Sequence, residues 1–151
     1  MNEQRRTLMQ LTALIGLMAG SGLITAAEAA TWNEAAFKAT SVEDVAKVLG
    51  SSGMPKASDA VTLRAPDIAE NGAVVPVGVE TSLGATQMAI LVEENPSALS
   101  AMFELTDDCV PFAATRVKMN QTSNVYALVK AEGQWYMASK EVKVTLGGCG
   151  G

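Results

Sequence analysis

From about Ala60 to Leu146 the apolar residues fall on alternate positions in short runs, and turn residues interrupt them every eight to fifteen positions. A period of two is the spacing of a strand with one face against a core. Val61 and Leu63 open the series. Ile68 to Glu70 and Ala73 to Glu80 flank Asn71-Gly72, the strongest short hairpin signal available. Val75, Val77, Val79 and Thr81 share a face of the second arm, and Pro76 places that strand at an edge or beside a bulge. Met88 to Val92 reads as a buried strand, closed by Glu93-Glu94-Asn95-Pro96. Met102 to Thr106, Phe112 to Met119, Val125 to Lys130 and Trp135 to Leu146 complete a set of about seven. The pattern predicts a mainly β protein, an immunoglobulin-like antiparallel β-sandwich with one buried and one wet face per sheet.

The segment before Ala60 has a different period. Trp32 to Lys38 is helix-friendly, and Ser41-Val42-Glu43-Asp44 has the arrangement of a capping box. Val42, Val45, Ala46, Val48 and Leu49 follow at helical spacing until Gly50. The sandwich is therefore expected to carry a short helical N-terminal segment.

Residues 1–29 are read as an export signal. Arg5-Arg6 precedes an apolar run from Leu11 to Ile24, diluted by Gly16, Gly20 and Gly22, and Ala27-Glu28-Ala29 supplies a cleavage pattern. The run is too short to cross a bilayer of about 30 Å as a helix, which weighs against a retained anchor. Gln4-Arg5-Arg6-Thr7-Leu8-Met9-Gln10 resembles the twin-arginine motif and departs from it at Gln4 and Gln10. That route carries folded cargo into the periplasm, so this reading places 30–146 as the folded domain of an exported protein.

Charge and composition exclude much chemistry. The chain carries 11 Lys and Arg against 16 Asp and Glu, a net charge of −5, which argues against nucleic acid or an anionic membrane as partner. It contains no histidine, so the commonest general base and metal ligand are missing. Its two cysteines, 109 and 149, form no CxxC, so neither a metal site nor a resident cofactor is expected.

Beyond the last strand stands Gly147-Gly148-Cys149-Gly150-Gly151, one thiol with two glycines on each side. Glycine lacks Cβ and visits nearly all of backbone space, so these residues make a slender tether. Three residues at about 3.5 Å each give Cys149 a reach of roughly 10 Å beyond Leu146. An unused thiol in an oxidising compartment is a liability, which favours a carrier function over an incidental cysteine. No Lys or Arg lies within five residues of Cys149, and the carboxylate two residues on disfavours the thiolate. Its pKa is therefore expected near the ordinary value of about 8.5, that of a modest nucleophile.

Three stretches carry a specific resemblance. Val117-Lys118-Met119-Asn120-Gln121-Thr122-Ser123-Asn124-Val125, Trp135 through Thr145, and the 147–151 pentapeptide together resemble SoxY, the sulfur-carrier family of periplasmic thiosulfate oxidation. The resemblance implies that Cys149 bears the sulfur cargo and that Gly147, Gly148, Gly150 and Gly151 form a swinging arm. It implies a heterodimer with a SoxZ-like β-sandwich lacking its own export signal. It further implies loading by a c-type haem enzyme, which joins thiosulfate to the thiol, and removal of sulfate by a manganese-dependent hydrolase, which leaves a persulfide.

Other readings stay open on the residues alone. Cys149 could be the nucleophile of a sulfurtransferase, though such sites hold the cysteine rigidly among amides and cations. A thiocarboxylate carrier would need ATP, and an adhesive module would use Cys149 in an intermolecular disulfide. Cys109 is expected to be a half-buried residue without redox role, since a permanent bridge to Cys149 would block the cargo. Asp107-Asp108 and Glu93-Glu94 read as solvated turns, because neighbours on a strand point to opposite faces. Arg116 and Lys118 share a strand face and could attract an anion, although a plain wet face is the simpler reading. The eight methionines are read as leader and core filler.

Overall fold

A computed structural model describes residues 33–145. Two short helices come first, α1 over Glu34–Lys38 and α2 over Val42–Val48. Ser41 caps α2 as its sequence requires: its Oγ accepts from the Asp44 N–H at 3.1 Å, and Gly50, at φ +85°, closes the other end. Nine strands follow among the described residues. They are β1 (Lys56–Ala57), β2 (Val61–Arg64), β3 (Ile68–Ala69), β4 (Val75–Thr81), β5 (Ala85–Val92), β6 (Leu99–Glu104), β7 (Phe112–Val117), β8 (Ser123–Ala131) and β9 (Gln134–Val144).

The strands form an antiparallel sandwich of the expected immunoglobulin-like type. One sheet has the order β1-β9-β8-β5-β6, with β3 also on β9; the other has the order β2-β4-β7. The two-residue strands β1 and β3 pair in parallel with the start and the end of the same β9 edge. Between the sheets lie Val75, Val77 and Val79 of β4, Met88, Ile90 and Val92 of β5, and Val125 and Val129 of β8. Pro76 sits past the end of β2, whose last pair is Arg64 with Gly78, so no strand needs an amide from it on that side.

The larger sheet departs from the expectation of one wet face. Ala89, Leu91 and Leu128 point away from the sandwich core and are fully buried, because Val42, Val45 and Leu49 of the helical segment cover them. Helix, large sheet and small sheet thus stack as three layers. The unbroken apolar run from Met88 to Val92 is the signature of a strand buried on both faces. Trp135 ties the outer layer down, donating its indole N–H to the Leu49 carbonyl at 3.1 Å. Val48 alone of the helical apolar set stays exposed, at 41%.

The expected hairpin at Asn71-Gly72 does not form. β3 pairs with β9 and β4 with β2 and β7, so the two arms belong to different sheets. Asn71 instead makes a local turn, its Oδ1 accepting from the Ala73 N–H. Gly72 is needed for space: a Cβ there would lie 2.4 Å from the Met119 carbonyl oxygen and 2.9 Å from a Val144 methyl. The tight hairpin lies between β8 and β9, where Glu132 and Gly133 both have positive φ, 52° and 75°. That is the backbone of a two-residue turn matched to strand twist.

Candidate functional site

The tether Gly147, Gly148, Cys149, Gly150, Gly151 and the leader, residues 1–29, lie outside the described residues. What the structure does give is the platform from which the tether departs. β9 is paired along its length to β8, from Gln134 with Ala131 to Val142 with Ser123. Its last residues are held on both sides. The Lys143 N–H donates to the Asp67 carbonyl at 3.0 Å, the Thr145 N–H to Ala69 at 3.1 Å, and the Val144 N–H to Thr122 Oγ1 at 3.0 Å. Val142 is fully buried. Lys140 adds a polar clamp on the same edge, donating to the Ala65 carbonyl at 2.8 Å and pairing with Asp67 at 2.8 Å. That hydrogen bond and charge hold the Asp67 carboxyl below the usual aspartate range.

The chain is therefore fixed to the body through Thr145. Two hydrogen-bonded neighbours and a packed valine hold this point in register, so position 145 is a defined root for whatever follows it.

Cys109 is exposed and unbridged, not half-buried. It follows Asp107-Asp108 in a turn beyond β6, where its N–H donates to the Thr106 carbonyl at 2.9 Å. The Thr106 hydroxyl lies 3.2 Å from Sγ, and this contact lowers the thiol pKa, helped by the Thr106 backbone. The paired acids sit in turns as expected and do not converge. Glu93 accepts from Asn124 Nδ2 at 2.9 Å and Glu94 from Gln121 Nε2 at 2.9 Å. Tyr126 beside Glu93 is pushed up, first by burial and then by that carboxylate. Met88 and Met119 are core residues, as expected, while Met54 is 49% exposed. Among the described residues no group of three His, Cys, Asp or Glu could hold a metal ion.

The outer face of the β2-β4-β7 sheet carries a feature that strand-by-strand reading missed. The pairs Pro76–Arg116 and Arg64–Gly78–Ala114 lie side by side across this face, with Phe112 next to them. These six residues line a groove of about 650 Å³. Its floor is shallow because Gly78 and Ala114 have little or no side chain, and a Phe112 ring carbon sits 3.4 Å from where a Gly78 Cβ would be. Arg64 pairs with Glu80, whereas Arg116 enters no ion pair among the described residues. The alternation of small residues with arginine on adjacent strands was visible, but register was needed to bring them together.

The family described as sulfur oxidation protein SoxY matches residues 45–149. The sulfur carrier protein SoxY from Chlorobium limicola f thiosulfatophilum superposes with a TM-score of 0.60 at 40% identity, covering 68% of this chain and 96% of that one. Superoxide reductase (neelaredoxin) from Ignicoccus hospitalis, in two single-substitution variants, matches with a TM-score of 0.51 at 15% identity, covering 56% of this chain and 79% of that one, a likeness of fold alone. No curated protein sequence matches the chain.

A β-sandwich whose β9 is held at both edges near its end, with a family match that runs on to a cysteine, defines the sulfur-carrier class of protein. The chain belongs to the SoxY family of sulfur-oxidation proteins.

Proposed function

We propose that this protein is a periplasmic carrier that holds thiosulfate-derived sulfur covalently on Cys149 and presents it to partner enzymes. The observation that carries this reading is the family match ending at residue 149, the cysteine itself, four residues beyond Thr145, whose N–H is bonded to the Ala69 carbonyl just past β9. Gly147, Gly148, Gly150 and Gly151 serve as the pivots of the arm. The twin-arginine leader exports the folded body, paired with a SoxZ-like β-sandwich subunit. No helix among the described residues is long and apolar enough to cross a membrane.

The chemistry belongs to the partners and balances on the thiol. Loading joins thiosulfate to the Cys149 sulfur, forming an S–S bond and releasing one proton and two electrons to a c-type haem enzyme. Hydrolysis by a manganese-dependent enzyme adds one water and releases sulfate and two protons, leaving the persulfide anion. This chain contributes the sulfur atom, the reach of its arm and a fixed root at Thr145. No Lys or Arg lies within five residues of Cys149 in sequence, which supports generation of the thiolate where the arm enters a partner.

Intact mass of the protein taken from its native compartment tests the proposal. Adducts of one sulfur or of thiosulfate mass, localised to Cys149 and absent from Cys149→Ser, are expected. Turnover of thiosulfate by the purified chain alone would replace the carrier reading with a sulfurtransferase.

A further inference from the structure

β7 closes the order β2-β4-β7, so one of its sides pairs with β4 and the other is an open edge. Which backbone groups that edge presents follows from one bond. The Thr81 N–H donates to the Pro111 carbonyl, so the odd-numbered positions of β4 bond toward β7, and Ala113, Thr115 and Val117 answer them. Phe112, Ala114 and Arg116 therefore turn their backbone groups outward. Phe112 closes its N–H on the Val110 carbonyl, and Lys118, just past the strand, gives its carbonyl to the Asn95 side chain. Between them the N–H and C=O groups of Ala114 and Arg116 have no partner among the described residues. An open stretch of this kind is a template for one more strand.

The side chains of the same strand offer a surface to go with that edge. Phe112, Ala114 and Arg116, with Gly78 and Pro76 of β4, line the groove of about 650 Å³ on the outer face. Phe112 is 47% exposed and Val110, two residues before it, 78%. The charge here runs against that of the chain, which is −5 overall. Arg116 and Lys118 enter no ion pair among the described residues, while Glu80 is held by Arg64, and Asp67, next to the lining residue Pro66, by Lys140. Asp107 and Asp108 lie in the turn before β7, at the other end of about 20 Å of strand.

We propose that the β7 edge and its groove are a docking site for an extended, acidic segment of a partner protein, which joins the small sheet as a fourth strand beside β7. The site uses no residue of the 146–151 segment and holds whether or not Cys149 carries sulfur. Main-chain bonds to Ala114 and Arg116 fix the incoming backbone, and alternate side chains give the specificity. An Asp or Glu on the groove side meets the Arg116 guanidinium, and an apolar neighbour lies beside Phe112 over the bare floor at Gly78. A second copy of this chain fits badly. Its β7, set antiparallel about Ala114, would place Arg116 opposite the other copy's Phe112 and leave both arginines without an anion. The charge contact is exposed, so salt weakens it.

The test equilibrates the full chain, thiols kept reduced, with a library of blocked nonapeptides randomised over Val, Thr, Tyr, Asp, Glu and Lys, and sequences the bound fraction by mass spectrometry. Enrichment of Asp and Glu over Lys is expected. Arg116→Glu should reverse that preference, and because Arg116 is exposed and unpaired the variant keeps its fold. The best binder at saturation should slow hydrogen exchange at the Ala114 and Arg116 amides about tenfold or more. N-methylation of its alternate residues should weaken binding about tenfold in the register that faces β7 and little in the other. A library with no enrichment, or with enrichment blind to charge, overturns the proposal. Binding that leaves both amides exchanging as before overturns the added strand. Exchange at these amides that slows with protein concentration in the absence of peptide assigns the edge to a second copy and overturns the partner. The carrier reading fails separately, if Cys149 bears no sulfur in the native compartment.

Discussion

Gly72 and Met119 are locked together at the base of β9: the Met119 N–H donates to the Gly72 carbonyl at 2.7 Å, and no Cβ fits at position 72. The same crowding brings Val144 against this pair. Gly72→Ala must push β9 or the Met119 backbone aside, which costs about 1–3 kcal/mol. Chemical denaturation should show that loss. Hydrogen exchange should show faster exchange at Val144 and Thr145 than elsewhere in β9, because the root of the arm is loosened first.

Lys140 and Asp67 make a pH-dependent contribution to the same root. The folded Asp67 pKa lies below its unfolded value, so the pair stabilises the fold above the unfolded aspartate value of about 3.9 and loses this as pH falls through the folded pKa. Lys140→Met should return the Asp67 titration, followed by carboxyl NMR, to the ordinary range. The stability difference between parent and variant should shrink as the pH drops below about 4, since both then carry a protonated Asp67.

The Thr106 hydroxyl sits against the Cys109 sulfur and favours its thiolate. Thr106→Val should raise the Cys109 pKa and slow its alkylation by iodoacetamide at neutral pH severalfold. Cys149, which has no such neighbour in sequence, should titrate near 8.5 in the isolated protein. Site-resolved alkylation rates across pH separate the two thiols, and a strongly acidic Cys149 would contradict activation by partners.

Trp135 anchors the helical layer through one buried hydrogen bond and its ring. Trp135→Phe leaves the Leu49 carbonyl without that donor and should destabilise by about 1–3 kcal/mol. Increased exchange at α2 amides, with β4 and β7 unchanged, would locate the effect in the outer layer.

Glu132 occupies a left-handed position that a side chain of its type rarely adopts. Glu132→Asn keeps the turn and suits its backbone, so it should raise stability by about 0.5 kcal/mol in thermal or chemical denaturation.

The contrast between Asn71-Gly72 and Glu132-Gly133 shows where local reading stops. Both are turn-forming pairs between apolar runs, and sequence preference favours the first. Tertiary context reverses the order, because the runs around Asn71 bury their apolar faces in different sheets while β8 and β9 pair directly. Ser41, by contrast, was legible as a cap because its bond to Asp44 spans three residues and depends on nothing distant. Cys109 was misplaced as half-buried because exposure is set by how β6 and β7 are joined, not by the residue's own preference.

The residues alone determined a mainly β sandwich and its capped helical entry, and they singled out Cys149 as the candidate site, because period, capping and a lone thiol among glycines are properties of short stretches of chain. Only the folded structure decided that the large sheet is covered on both faces, that the end of β9 is held on one edge by Thr122 and on the other by Asp67 and Ala69, and that Arg116 lines a groove with Gly78 and Phe112. Those depend on which strands become neighbours, and strand partners are chosen by the joint burial of many side chains far apart in sequence.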